Sequence, residues 1–149
     1  VDQQTSKNYM AQVHELLLFP GRLQEARERC ATSQKAVAME LGIDQAFLCG
    51  VEKGRRPPFS DRVIEQLKIS LQLKENDSQA LVWAAKHDRC IRSVWLVTES
   101  EEETRLVSQL LSTSQMLDRA QRNGLLAYLA SLQRSASCLS ILSQGGCMT

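Results

Sequence analysis

The chain has 149 residues, 43% apolar and 23% charged, and its 18 Lys and Arg against 17 Asp and Glu leave a net charge of +1. That length suits one compact domain or a small domain with an appendage, and the apolar content is too high for a disordered chain. Near-neutrality excludes a protein that holds nucleic acid by bulk charge alone, but not a small local basic surface.

Helical spacing dominates and period-two alternation is nearly absent, so the predicted class is all-α. A first helix is predicted over residues 7–18, with Met10, Val13 and Leu17 on one face. Phe19-Pro20-Gly21 should stop it, because proline disfavours helix in the residue before it. A second helix is predicted over residues 23–30. Ser33 is placed to cap a helix Gln34–Leu41, and Gly42 to end it in the left-handed conformation. Asp44 should cap another short helix over residues 45–53, ended by Gly54. Two short helices around a glycine-centred turn, with Val37, Leu41, Ile43, Leu48 and Val51 apolar, form a helix-turn-helix pattern. The outer face of its second helix is then left free.

Arg55-Arg56-Pro57-Pro58 reads as a loop, and Ser60 as the cap of a helix over residues 61–71. A further helix is predicted over residues 75–87. Residues 90–97 (CIRSVWLV) suit an edge strand and a helical turn equally. Ser100 with Glu103 forms a capping box at the start of a helix carrying Leu106, Val107, Leu110 and Leu111. A last long helix carries Leu117, Ala120, Leu125, Tyr128, Leu129 and Leu132 at helical spacing. Residues 135–149, rich in Ser, Gly and Cys, are expected to be a flexible tail.

Catalysis has little support. The two histidines, His14 and His87, are far apart in sequence, and no Gly-rich phosphate loop or nucleophile elbow is present. No Cys/His set has zinc-ligand spacing, so neither a metal nor a cofactor is expected. The five cysteines (Cys30, Cys49, Cys90, Cys138 and Cys147) are odd in number and irregular in spacing, and read as reduced thiols. No apolar run approaches the roughly 18 residues that span a bilayer. The first residues lack the pattern of a secretory signal. A cytoplasmic protein without a membrane partner is therefore expected.

Residues 21–89 resemble the Cro/C1-type helix-turn-helix regulators, a family that includes phage repressors and many small bacterial regulators. The resemblance rests on Arg27, Ser33-Gln34, Val37-Ala38, Leu41-Gly42-Ile43 and Val51-Glu52-Lys53-Gly54-Arg55-Arg56, in order and at family spacing. It implies a lambda-repressor-like five-helix domain over residues 21–89 and explains neither flank. Helical spacing alone predicts an N-terminal helical extension over residues 1–20 and a C-terminal helical dimerisation region, a helical hairpin, within residues 90–134. The resemblance also implies a buried ion pair between Arg27 and Glu52, since a buried charge needs a partner.

By the same resemblance, the helix over residues 45–53 enters the major groove of double-stranded DNA. Gln45 takes the first reading position, where an amide can bond an adenine edge. Ala46 and Phe47 offer apolar contact, and Gly50 lies one turn on without a side chain. Gln34 matches the family's phosphate-contacting glutamine. Lys35, Lys53, Arg55 and Arg56 are placed to pair with phosphates. The reading helix is unusually apolar, which opens an alternative: a scaffold that binds a protein partner through the face around Phe47.

The C-terminal hairpin needs a partner for its apolar faces. A homodimer through Leu106, Leu110, Leu117, Leu125, Tyr128, Leu129 and Leu132 would match a palindromic operator. The sequence thus reads as a non-enzymatic, cytoplasmic, bacterial or phage DNA-binding regulator, with repression as the default mechanism. Residues 21–89 hold 12 basic and 10 acidic side chains, so binding must rest on a local patch.

Overall fold

The computed structural model describes residues 13–145, and the regular structure among them is entirely helical. Seven helices are defined there: α1 (Phe19–Arg29), α2 (Gln34–Leu41), α3 (Gln45–Glu52), α4 (Asp61–Ser70), α5 (Glu75–Thr98), α6 (Glu101–Met116) and α7 (Arg119–Gly145). The all-α class expected from periodicity is observed. The chain divides into two compact units, the first ending at Gln109 and the second beginning at Leu110.

In the first unit one apolar core is fed by five helices. Phe19, Leu23 and Ala26 enter from α1, Val37, Ala38 and Leu41 from α2, and Leu48 and Val51 from α3. Ile64 and Leu67 come from α4, Leu81, Ala84 and Ala85 from α5, and Phe59 from the α3–α4 loop. Local capping sets most boundaries. The Ser33 hydroxyl accepts the Ala36 N–H at 3.1 Å, the Asp44 carboxylate the Ala46 N–H at 2.6 Å and the Ser60 hydroxyl the Val63 N–H at 3.5 Å. Gly42 closes α2 with φ of 63°, a left-handed conformation that lets its N–H and that of Ile43 bond back to the helix. The helix expected over residues 45–53 ends one residue earlier, with Lys53 as its C-cap.

Other boundaries differ by more than a residue from the sequence expectation. The helix predicted over residues 7–18, with Met10 on its face, falls mostly outside the described residues. Of its described part, Val13 and His14 are helical, residues 15 and 16 form a turn, and residues 17 and 18 have no regular structure. Phe19-Pro20-Gly21, expected as a stop, begins α1. Proline is harmless in a first turn, where its missing N–H would have no partner in the helix. The N–H groups of Leu18 and Phe19 are instead capped from a distance by the Asp88 carboxylate, at 2.9 and 2.8 Å. No local pattern announces a cap 70 residues away.

Residues 90–97 are neither a strand nor an isolated turn: α5 runs unbroken from Glu75 to Thr98, across the expected boundary at residues 89 and 90. Ile91 and Trp95 are buried on its inner face one turn apart, which continues the stripe of Leu81, Ala84 and Asp88. Of the expected capping box the serine half is present: the Ser100 hydroxyl accepts the Glu103 N–H at 3.3 Å, while the Ser100 N–H donates to the Thr98 hydroxyl, also at 3.3 Å, and not to Glu103.

The second unit contains α7. Helix continues to Gly145 through residues expected to be a flexible tail. The Ser135 and Ser137 hydroxyls donate to the carbonyls of Ser131 and Gln133, at 3.1 and 2.9 Å. These serines thus bond within the helix instead of competing with it. Residues 146–149, with Cys147, lie outside the described part. Although no unbroken apolar run is present, Arg119–Ser143 is long and apolar enough to cross a membrane by length and composition.

Candidate nucleic-acid interface

The junction of α1, α2 and α3 is built around one carboxylate. Glu52, at the end of α3, accepts Arg27 Nε at 2.7 Å and Arg27 Nη2 at 3.2 Å. The Glu52 side chain is 4% exposed and that of Arg27 14%. Arg27 Nη1 donates in addition to the Thr32 carbonyl at 3.0 Å. The hydrogen bond to Glu52 raises the Arg27 pKa; burial lowers it in part, and the charges of Glu52 and Glu28 add to the rise. The ion pair read from the sequence is therefore present, in a forked geometry that suits a guanidinium.

Gln34 has a partner that its expected role did not include. Its Nε2 donates to Glu52 Oε2 at 2.6 Å, a bond that uses one of its two amide hydrogens and leaves the residue half-buried at the start of α2. A carboxylate at a helix C-terminus is disfavoured by the helix dipole, and these three donors together hold it there. The result fixes α2 and α3 to each other and to α1.

On the outer surface, Gln45 and Ala46 are exposed at the start of α3, as are Lys35, Lys53, Arg55 and Arg56. Phe47 is half-buried. Its ring stacks on Phe59 at 6.0 Å between centroids, and the Arg56 guanidinium lies 4.8 Å above its centre. The ring is thus partly covered by its own domain. Gly50, expected only as a gap in the row of side chains, is buried beneath the Arg56 stem. A groove of about 630 Å³ follows, lined by Ala46, Cys49, Gly50, Arg55, Arg56 and Pro57.

Three residues that sequence reasoning did not single out hold the loop after α3. His14 Nε2 donates to the Lys53 carbonyl at 2.7 Å, and its ring packs on Gly54. Gly54 has φ of 67°, and a Cβ there would fall 2.6 Å from the imidazole. Arg92 donates to the carbonyls of Gly54 and Arg56, at 2.7 and 3.1 Å. Arg89 bonds the Phe59 carbonyl and, at 2.7 Å, the Asp61 carboxylate. The one available signal was that Arg89 and Arg92 fall three residues apart and so share a face, provided α5 is continuous.

A second buried network also escaped the sequence reading. His87 Nδ1 donates to Asp88 Oδ1 at 2.8 Å, and His87 Nε2 lies 2.9 Å from the Ser108 hydroxyl. The order Ser, His, Asp matches a nucleophile chain, but its setting is that of a strut. His87 and Asp88 are each 1% exposed, and the carboxylate also caps the Leu18 and Phe19 amides. The network joins α5 to α6 and to the start of α1. Among the described residues no group of three or more His, Cys, Asp or Glu is arranged to hold a metal ion.

Of the residues expected at a dimer interface, Leu106 belongs to the first unit and is exposed. Leu110, Leu117, Leu125, Tyr128, Leu129 and Leu132 belong to the second. Within it Tyr128, Leu129 and Leu132 are exposed on α7, together with Leu126, Leu139, Ile141 and Leu142. No family model, no curated protein and no solved structure matches this chain.

Proposed function

We propose that α1 to α5 form a lambda-repressor-like helix-turn-helix domain of the Cro/C1 type, and that the protein is a sequence-specific DNA-binding regulator. The observation that carries this reading is the exposed face of α3, with Gln45 and Ala46 at its start and Lys53, Arg55 and Arg56 at its end. It is backed by the Arg27–Glu52–Gln34 node, which fixes the angle at which that face is presented. In this reading Gln45 contacts a base edge while Lys35, Lys53 and Arg55 contact phosphates. On α7 the stripe Leu125, Leu129, Leu132, Ala136 and Leu139 alternates steps of four and three residues, the register of a two-stranded coiled coil with one small side chain in the seam. A second copy of the chain is the matching occupant, and a two-fold dimer reads a palindrome. Repression by occlusion of a promoter, in a bacterial or phage context in the cytoplasm, is the corresponding biology, without catalysis.

The alternative reading, a protein partner at Phe47, has less support, because Phe59 and Arg56 cover part of that half-buried ring. Selection from random duplex DNA tests the proposal. A palindrome should be enriched, and Gln45→Ala should lose it. Affinity should fall about a thousandfold or more between roughly 50 and 200 mM salt, as for a dimer with several phosphate contacts. No enrichment, with partner capture insensitive to salt, would overturn it.

A further inference from the structure

Resting on the DNA-binding reading, the geometry points to Arg56 as a base-reading residue that recognises guanine, with Gly50 as the position that makes this possible. Arg56 has a partner along its whole length. Its backbone N–H donates to the Gly50 carbonyl at 3.2 Å, and its own carbonyl accepts from Arg92 at 3.1 Å. Its stem lies across Gly50: a Cβ built there would stand 3.1 Å from Arg56 Cδ and 3.3 Å from both Cγ and Nε. Its guanidinium sits 4.8 Å above the Phe47 ring, which is itself stacked on Phe59. The side chain nevertheless remains exposed, at the edge of the groove walled by Ala46, Cys49 and Gly50 on the outer face of α3.

A phosphate needs only a positive charge within reach, and a flexible arginine or lysine supplies it. A planar fork held in one place on the reading face suits a different task. It matches the paired acceptors O6 and N7 of guanine, which lie in the major groove where α3 would dock. Arg55, its neighbour, has no ring to rest on among the aromatic contacts of the described residues, and fits a phosphate. An alanine at position 50 would favour the helix and crowd the arginine stem by a few tenths of an ångström, so glycine gives the stem its closest seat and only a larger side chain displaces it.

The test uses the full chain in three forms: wild type, Arg56→Lys and Gly50→Leu. Each is put through selection from random duplex DNA and then titrated on the selected site and on single-base variants of it. The wild type should select a guanine at one fixed position in each half-site, preferred over other bases by roughly 5- to 150-fold. Arg56→Lys keeps the charge and loses the fork, so preference at that position should collapse towards one while preferences at other positions stand. Gly50→Leu should show the same collapse, with helical content and thermal midpoint kept at or above wild type. A palindrome whose base preferences are the same in wild type and Arg56→Lys would overturn this assignment alone. A wild-type chain that selects no sequence would overturn it together with the reading on which it rests.

Discussion

At the scale of single residues, Glu52 and Arg27 matter most for the shape of the candidate interface. Glu52 stands at the negative end of α3 and is almost sealed from water. Removing Arg27 would leave that carboxylate with Gln34 as its remaining side-chain donor. Arg27→Ala should therefore destabilise the first unit by about 3–5 kcal/mol, the cost of orphaning a buried ion. Urea denaturation measures it, and a midpoint equal to wild type would show that water already serves the pair. Arg27→Lys should recover only part of the loss, because an ammonium cannot make the two parallel bonds seen at 2.7 and 3.2 Å. The pair was legible in the sequence through a resemblance in the spacing of Arg27 and Glu52. The bond from Gln34 to the same carboxylate was not. A glutamine at the start of a helix reads as an outward group, and only the folded junction brings Glu52 beneath it.

At the scale of elements, the turn between α2 and α3 depends on the backbone freedom of Gly42. Its φ is 63°, and nothing lies within 4 Å of where a Cβ would project. The cost of a side chain there is thus conformational and not steric. Gly42→Ala should cost about 1–2 kcal/mol, the penalty of the left-handed region for an L-residue. Gly42→Asn should cost less, since asparagine tolerates that region. Thermal melts of the two variants check the order, and equal losses would point to a steric cause instead. The boundaries of α2, α3 and α4 could be read because serine, aspartate and glycine act within a few residues of themselves. Those of α1 and α5 could not. The start of α1 is capped by Asp88 from the far side of the core, and α5 continues because Ile91 and Trp95 find a core to enter.

At the scale of the whole molecule, α7 poses the question of what covers its apolar face. Among its described side chains only Leu125 and Ala130 are as much as half-buried, and the rest are exposed. Pairing with a second copy would remove Leu125, Leu129, Leu132 and Leu139 from water along one seam. Leu125→Asp combined with Leu132→Asp, in the full chain, should convert a dimer into a monomer in sedimentation experiments at micromolar concentration. The same variant should bind a palindromic site at least about tenfold more weakly while retaining its helical content, because a tethered second half-site supplies high effective concentration. A variant that stays dimeric would place the interface elsewhere.

Periodicity, caps and turn glycines follow from chemistry between near neighbours. From them the helical class, the short pair α2 and α3, the loop at Arg55-Arg56-Pro57-Pro58 and the serine cap at Ser100 are all legible in the chain alone. The arrangement that gives the candidate site its character depends on contacts between residues distant in sequence. His14 and Arg92 on the loop carbonyls, Asp88 on the start of α1 and Phe59 beneath Phe47 belong to this class. Such pairs carry no local signature, because what joins them is the shared core and not their spacing. Gly50 shows the difference most clearly. In the sequence it is a weak point in a helix, and in the fold it is the space in which Arg56 rests.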